Sequence, residues 1–412
     1  MKRPARILLV AGFDSFIRSA CLVGRPFADA GAKVEFALLQ TRADQIAKAQ
    51  LNRLNVPFDG SVETLDTLCV PEVLSRYDLL ILAVDGSAWR RFFLRFEKMT
   101  DASRPLVLGI YPGAVLRYHY DGFASRAPAD FLWLNAQDDL QRYEGMCAAF
   151  GADASNASVF GLPSLLAPIK RSEEPRKRIV FFEQTVIPRS RNDRLFLSEQ
   201  LVQLAQRFPD YELVIKPRHG IDEFTLHRAR VHIEATLAAA GQVVGASPPN
   251  LSISHEPVED LLADASLCLT VTSTVALEAV HAGVPTALIS DFGAHDDTGI
   301  QFFYGSDLMR SFEEIDPDNP PVVNREWAEQ ALFDPTPHLE RKVDEVLRAI
   351  EQHRDHPRPQ RSLAPLLHSR LRHETLIGNL SVDEVGTRSY QNEPKTGIRG
   401  VVSRMRGRFK RR

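Results

Sequence analysis

The stretch Leu267–Ile289 limits the folds open to this chain more than any other part of it. Leu267–Val271 reads as a buried strand, Thr272-Ser273-Thr274 as a hydroxyl-rich turn, and the residues up to Gly283 as a helix with its stop signal. Val284–Ile289 then reads as a second buried strand. Such a unit implies a parallel sheet covered by helices. The turn lies where the helix begins, and the unpaired N–H groups there, with the positive end of the helix dipole, attract phosphate. The plainer alternative is that Ser273 or Thr274 only caps the helix. The surrounding pattern favours phosphate, because in α/β domains nucleotides bind at the carboxyl ends of strands.

That pattern recurs along the chain. Arg6–Ala11, Val34–Leu39, Leu79–Val84, Leu106–Ile110, Phe131–Leu134 and Ala157–Phe160 are apolar runs of strand length, with a helix expected over Ile17–Ala30. The charged stretch Lys170–Arg178 has the composition of a linker. The alternation then restarts with Ile179–Phe182, a helix over Arg191–Phe208, and strands Glu212–Lys216 and Leu251–Ser254; a short helix, Val258–Asp264, follows. Two similar halves predict the GT-B architecture: α/β, two Rossmann-like doubly wound domains facing a cleft. The expected division is 1–168 as an acceptor-side domain, 177–353 as a nucleotide-sugar-binding domain, and 354–412 as a polar linker and basic tail.

A length of 412 residues fits two domains and a tail. The net charge of −3 gives no reason to expect nucleic acid. The four cysteines match no zinc spacing, and Cys21 and Cys268 read as buried thiols, as in a reducing cytoplasm. The apolar run after Lys2, Arg3 and Arg6 is too short for a signal-peptide core, and no stretch is long enough to span a bilayer. Thr396–Arg412 carries seven basic side chains and no acid. Ile398, Val401, Val402, Met405 and Phe409 would share one face of a helix there. That tail reads either as a contact with an anionic membrane surface, peripheral on the inner face of the plasma membrane, or as a disordered solubilising segment.

The turn followed by Val-Ala-Leu-Glu-Ala-Val-His-Ala-Gly-Val-Pro resembles the Ser/Thr-rich motif of polysialyltransferases and capsule Kdo transferases. The chain is similar to an uncharacterised bacterial family of GT-B-type glycosyltransferases related to them. Asp14–Arg18, Lys216–His227 and Gln301–Leu308 carry the same likeness, which covers roughly residues 1–310. The resemblance implies a CMP-sugar donor whose phosphate rests on the hydroxyl turn, with no cofactor and no metal. One departure stands out: those enzymes carry a His-Pro pair after the strand, whereas here the segment is Lys216-Pro217-Arg218-His219.

Lys216, Arg218 and His219 follow an apolar strand and suit the phosphate of a leaving group, together with Thr272, Ser273 and Thr274; a basic loop in solvent is the alternative. His255, Glu256 and Glu278 are candidates for the nucleotide. Ser15, Arg18, Glu223 and His227 are further cleft candidates, the last two sharing a face if their segment is helical. An inverting transfer needs a base from the opposite wall. Asp14 is the first choice, with a helix N-cap as its plainer alternative; Asp85 is the second, and Asp121 lies in a loop after the fourth strand. Asp291, His295, Asp296 and Asp297 look metal-like but read as a solvated loop.

Three readings follow. The first is a glycosyltransferase moving a sialic-acid-like or Kdo-like sugar from a nucleotide donor to a glycan or glycolipid acceptor, a surface polysaccharide or lipopolysaccharide. The second is a UDP-sugar 2-epimerase of the same architecture, although the hydroxyl turn lacks the epimerases' Gly-Gly element. The third is a non-catalytic, membrane-associated glycan assembly protein.

Overall fold

A computed structural model describes residues 3–40, 56–220, 231–244, 248–362 and 366. The first sheet comprises β1 (Arg6–Ala11), β2 (Lys33–Leu39), β3 (Gly60–Glu63), β4 (Leu79–Ala83), β5 (Leu106–Ile110), β6 (Phe131–Leu134) and β7 (Ala157–Val159), in the order β3-β2-β1-β4-β5-β6-β7. The second comprises β8 (Arg178–Phe182), β9 (Glu212–Lys216), β10 (Leu251–Ile253), β11 (Leu267–Thr270), β12 (Thr286–Ile289) and β13 (Met309–Arg310), in the order β10-β9-β8-β11-β12-β13. Neighbouring strands pair in parallel throughout, for example Leu8 opposite Leu80 and Ile179 opposite Leu267. These are two Rossmann-like domains.

The strands are apolar runs because helices cover both faces of each sheet. Period-two alternation divides the first core. Ile7, Leu9 and Ile81 pack with Ile17, Ala20 and Phe27 of the helix Asp14–Asp29. Leu8, Val10 and Leu82 pack with Trp89, Phe92, Phe93 and Phe96 of the helix Gly86–Phe96. The helix Asp14–Asp29 lies close to β1, and a Cβ on Gly24 would stand 2.6 Å from Leu9 Cδ1. Only glycine permits that approach.

The helix Leu339–Asp355 falls in the stretch that the sequence assigns to the second domain, yet it returns to the first sheet. Val343, Val346 and Ile350 join the same cluster as Ile7 and Leu9. Arg354 clasps Asp78 through Nε at 2.9 Å and Nη2 at 2.6 Å, and Lys342 Nζ donates to Ser158 Oγ at 2.7 Å. The chain therefore crosses between domains twice. The crossings meet at Gly161, whose φ is +106° and whose absent Cβ leaves room for the carbonyl of Phe333.

Each sheet reverses its strand order, at β1/β4 and at β8/β11. Loops leaving such a pair diverge and open a crevice. The two crevices face each other.

Candidate functional site

The shared cleft has a volume of about 1770 Å³. Small-molecule pockets usually measure about 300–1,000 Å³, so the space suits two substrates side by side. Its walls are the loops after β1, β4 and β5 on one side and after β8, β9 and β11 on the other.

On the second domain's wall, Lys216 ends β9, and Arg218 and His219 follow it into the cleft. Glu183, just past β8, fixes this loop. One carboxylate oxygen accepts from Arg218 N at 2.9 Å, and the other pairs with Arg194, both side chains being buried. His219 is buried, and its Nδ1 lies 2.7 Å from the carbonyl of Gly220. A carbonyl only accepts, so Nδ1 carries the proton. Nε2 lines up no partner among the described residues.

The hydroxyl turn divides its labour. Thr272 is fully buried; its amide donates to Gln184 Oε1 at 2.8 Å and its hydroxyl to Thr298 O at 2.6 Å. Thr272 therefore holds the turn in place, with its amide and its hydroxyl proton both engaged within the chain. Ser273 Oγ accepts from Val275 N at 3.3 Å. Thr274 stands at the N-cap of the helix Val275–His281 but makes no side-chain cap; its Oγ1 accepts from Ala114 N of the opposite domain at 3.2 Å. The capping alternative thus falls to Ser273. Glu278, on the same helix, faces the cleft beside Ser164 and Arg18. Burial raises its carboxyl above the usual range, while the Ser164 hydroxyl and Arg18 pull it down. His255 and Glu256 line the rim, with His255 Nε2 3.8 Å from Glu234 and Glu256 Oε2 accepting from Ser254 at 3.2 Å.

On the first domain's wall, Asp14 is the first residue of its helix rather than the cap, which is Phe13 with no side-chain bond. Asp14 Oδ1 accepts from Ser15 N at 2.8 Å and meets Arg218 Nη2 across the cleft at 3.5 Å. Asp85 is the true helix cap; one oxygen accepts from Ser87 N at 3.0 Å and Ala88 N at 3.1 Å. That engagement ties one Asp85 oxygen to the helix end. Arg18 crosses the cleft to Glu259 at 3.1 Å, Ser15 and Asp121 also line the space, and Asp121 is exposed. Asp291 instead accepts from Phe312 N at 2.9 Å, and among the described residues no group of His, Cys, Asp and Glu could hold a metal ion. Glu223, His227 and the tail Thr396–Arg412 lie outside the described residues. Among those residues no helix is long and apolar enough to cross a membrane.

The cleft also contains residues that the sequence did not single out. Glu183 and Gln184 could have been found from their place just after β8, at the reversal of strand order. Tyr111 and Arg126 could not, since nothing in their spacing links them.

No curated protein matches the chain. Among solved structures it is similar to the Methanocaldococcus jannaschii UDP-GlcNAc 2-epimerase in complex with UDP-GlcNAc and UDP, with TM-score 0.54, 12% identity, and coverage of 83% of this chain and 99% of that one. It is also similar to a "putative UDP-N-acetylglucosamine 2-epimerase" from Listeria monocytogenes, with TM-score 0.54, 13% identity, and coverage of 87% and 100%. At these identities the likeness is one of fold. Residues 7–351 match the family described as "Putative glycosyltransferase (DUF6716)", and the chain belongs to that family.

Proposed function

We propose that this chain is an inverting glycosyltransferase that takes a CMP-activated sugar of the sialic-acid or Kdo type and delivers it to a surface polysaccharide or lipopolysaccharide. The observation that carries the reading is the Asp14–Arg218 pair. A candidate base from one domain and a candidate phosphate cation from the other meet at 3.5 Å in a single cleft. Residues 1–168 serve as the acceptor side and 177–353 as the donor side, with the helix Leu339–Asp355 bracing the former.

The donor phosphate takes up Lys216, Arg218 and the Ser273–Thr274 rim, with His219 held beside them by its Nδ1 bond to Gly220. Glu278, His255 and Glu256 serve the nucleoside. The acceptor hydroxyl attacks the anomeric carbon as the bond to phosphate oxygen breaks. The hydroxyl proton passes to Asp14, and the charge growing on the departing CMP is met by the cations. The work falls to the chain itself, with no cofactor or metal. The basic tail serves as a peripheral anchor on the inner face of the membrane.

The test is incubation with CMP-sialic acid or CMP-Kdo and assay of released CMP, beside a thermal-shift panel of CMP, UDP, GDP and CDP. A ligand that binds only the folded chain raises Tm by mass action. Stabilisation by CMP supports the donor; no response to any nucleotide overturns the reading. A second reading, a UDP-sugar 2-epimerase, is favoured by the fold of the similar structures. Interconversion of UDP-GlcNAc epimers without an acceptor would select it.

A further inference from the structure

Arg126 is a buried cation that pairs with no carboxylate among the described residues. It is 5% exposed and lines the first domain's wall of the cleft. Nη1 donates to Gly122 O at 3.0 Å and Nη2 to Val84 O at 3.1 Å. Nε has no partner. Its guanidinium carbon stands 4.2 Å from the ring centre of Tyr111 and 5.5 Å from that of Trp89. Cation–π contact compensates part of the desolvation of a guanidinium, but two carbonyls and two rings leave a full positive charge in the wall.

Other unmatched groups share that wall. Among the described residues, the Tyr111 hydroxyl and Arg91 Nε are buried, belong to residues that line the cleft, and line up no hydrogen-bond partner at full geometry, with Arg126 the polar group beside the hydroxyl. Burial pushes the Tyr111 phenol up to about 12, although Arg126 beside it pulls the other way, so the hydroxyl keeps its proton and remains a donor. All three unmatched atoms can donate, and buried polar atoms in folded proteins nearly always have partners, protein or otherwise. No carboxylate bonds to Arg126 among the described residues. Asp121 is exposed, and Asp139, which acts on Tyr111, is itself pushed up to about 7 by burial and by Asp138. Gly122 lies close against the pair: a Cβ there would sit 3.3 Å from the Tyr111 hydroxyl and 3.6 Å from Arg126 Nη1, so a methyl group would press on both donors.

We propose that Arg126, Tyr111 and Arg91 form a subsite for an anionic group, a carboxylate or a phosphate, on the acceptor. The inference rests on the first domain's wall being the acceptor side, and it makes that acceptor an acidic glycan. A buried guanidinium with neighbouring donors binds such a group through charge-assisted hydrogen bonds and discriminates against a neutral sugar of the same shape.

Calorimetric titration of the full chain, with and without saturating CMP, tests this with methyl β-glucuronide and glucose 6-phosphate against methyl β-glucoside. The expected result is a preference of about tenfold or more for at least one acid, the tighter one naming the group. That preference should collapse in Arg126→Met and weaken in Tyr111→Phe. Gly122→Ala, a helix-favouring change, should also weaken it while leaving the chain folded. Equal binding of acids and glucoside, no binding of either acid, or a preference unchanged by all three substitutions overturns the proposal. CMP binding with no acid preference removes this inference alone. Failure of every nucleotide to bind removes the glycosyltransferase reading and leaves the acid preference readable.

Discussion

The Asp14–Arg218 pair permits a prediction with opposite signs in two assays. The two side chains are 31% and 41% exposed and 3.5 Å apart. In a water-like dielectric that separation corresponds to about 1.2 kcal/mol, and exposed pairs usually retain about 0–1 kcal/mol. The pair competes with the donor phosphate for Arg218. Asp14→Asn removes that competition, so CMP should bind more tightly by up to about fivefold, the equivalent of about 1 kcal/mol. The same substitution removes the base, so CMP release in the presence of acceptor should slow by about 10²–10⁴-fold. Arg218→Gln removes a charge-assisted bond of about 2 kcal/mol and should weaken CMP about 30-fold. In the double variant the gain from Asp14→Asn and the loss from Arg218→Gln should fail to add by about 1 kcal/mol, the coupling of the empty pair. Calorimetry gives the affinities, and a coupled assay of CMP release gives the rates. Weaker CMP binding by Asp14→Asn, or an unchanged release rate, would refute the assignment of Asp14 as base opposite a phosphate-binding Arg218.

Three stability effects follow from the scaffold. Burial raises Asp139 to about 7, so the folded chain holds that proton more tightly than the unfolded chain does, and stability falls as pH rises from about 4 through about 7. Asp139→Asn should therefore raise Tm more at about pH 8 than at about pH 5; equal gains would contradict it. Asp78 receives Arg354, Arg3 and the amide of Arg6, and Asp78→Ala strands those donors at a cost of about 3 kcal/mol, read in urea melts. Gly161→Ala forces a positive φ on alanine and sets its Cβ 2.2 Å from Phe333 O, so a loss of about 3 kcal/mol or more is expected where the two crossings meet. A Tm unchanged by that substitution would mean the crossings do not pack as described.

The sheets were readable in the sequence because strands buried on both faces must be apolar throughout. Leu79–Ala83 and Leu106–Ile110 leave no other reading. β3 and β13 are not legible in the sequence, for the opposite reason. β3 is a largely exposed edge strand, and β13 spans two residues, so neither carries a hydrophobic signature. The loops after β9 and β11 were found because each follows an apolar run directly. The helix Leu339–Asp355 has an amphipathic pattern, but a pattern does not name its partner sheet, and only tertiary packing places it on the first domain. Arg126 marks the same limit. Its meaning depends on Tyr111, Val84 and Gly122, brought together by three different connections.

The contacts across the seam are of two kinds, and their difference bears on how substrates enter. On the crossing side, Leu162 and Leu165 pack with Leu277, Leu288 and Phe303 in an apolar cluster whose burial is not undone by a soluble ligand. On the open side, the described links are Arg18–Glu259, Arg218–Asp14, Thr274–Ala114 and Arg117 Nη1 to Asp297 O at 2.5 Å. The two ion pairs are partly exposed and each contributes about 1 kcal/mol or less. A donor that brings its own phosphate replaces such a contact with a stronger one at the same cation. Apolar packing thus sets where the domains stay joined, while the open-side contacts are weak enough for substrate binding to displace. A donor that takes Arg218 leaves Asp14 without its cationic partner, so donor binding would precede deprotonation of the acceptor.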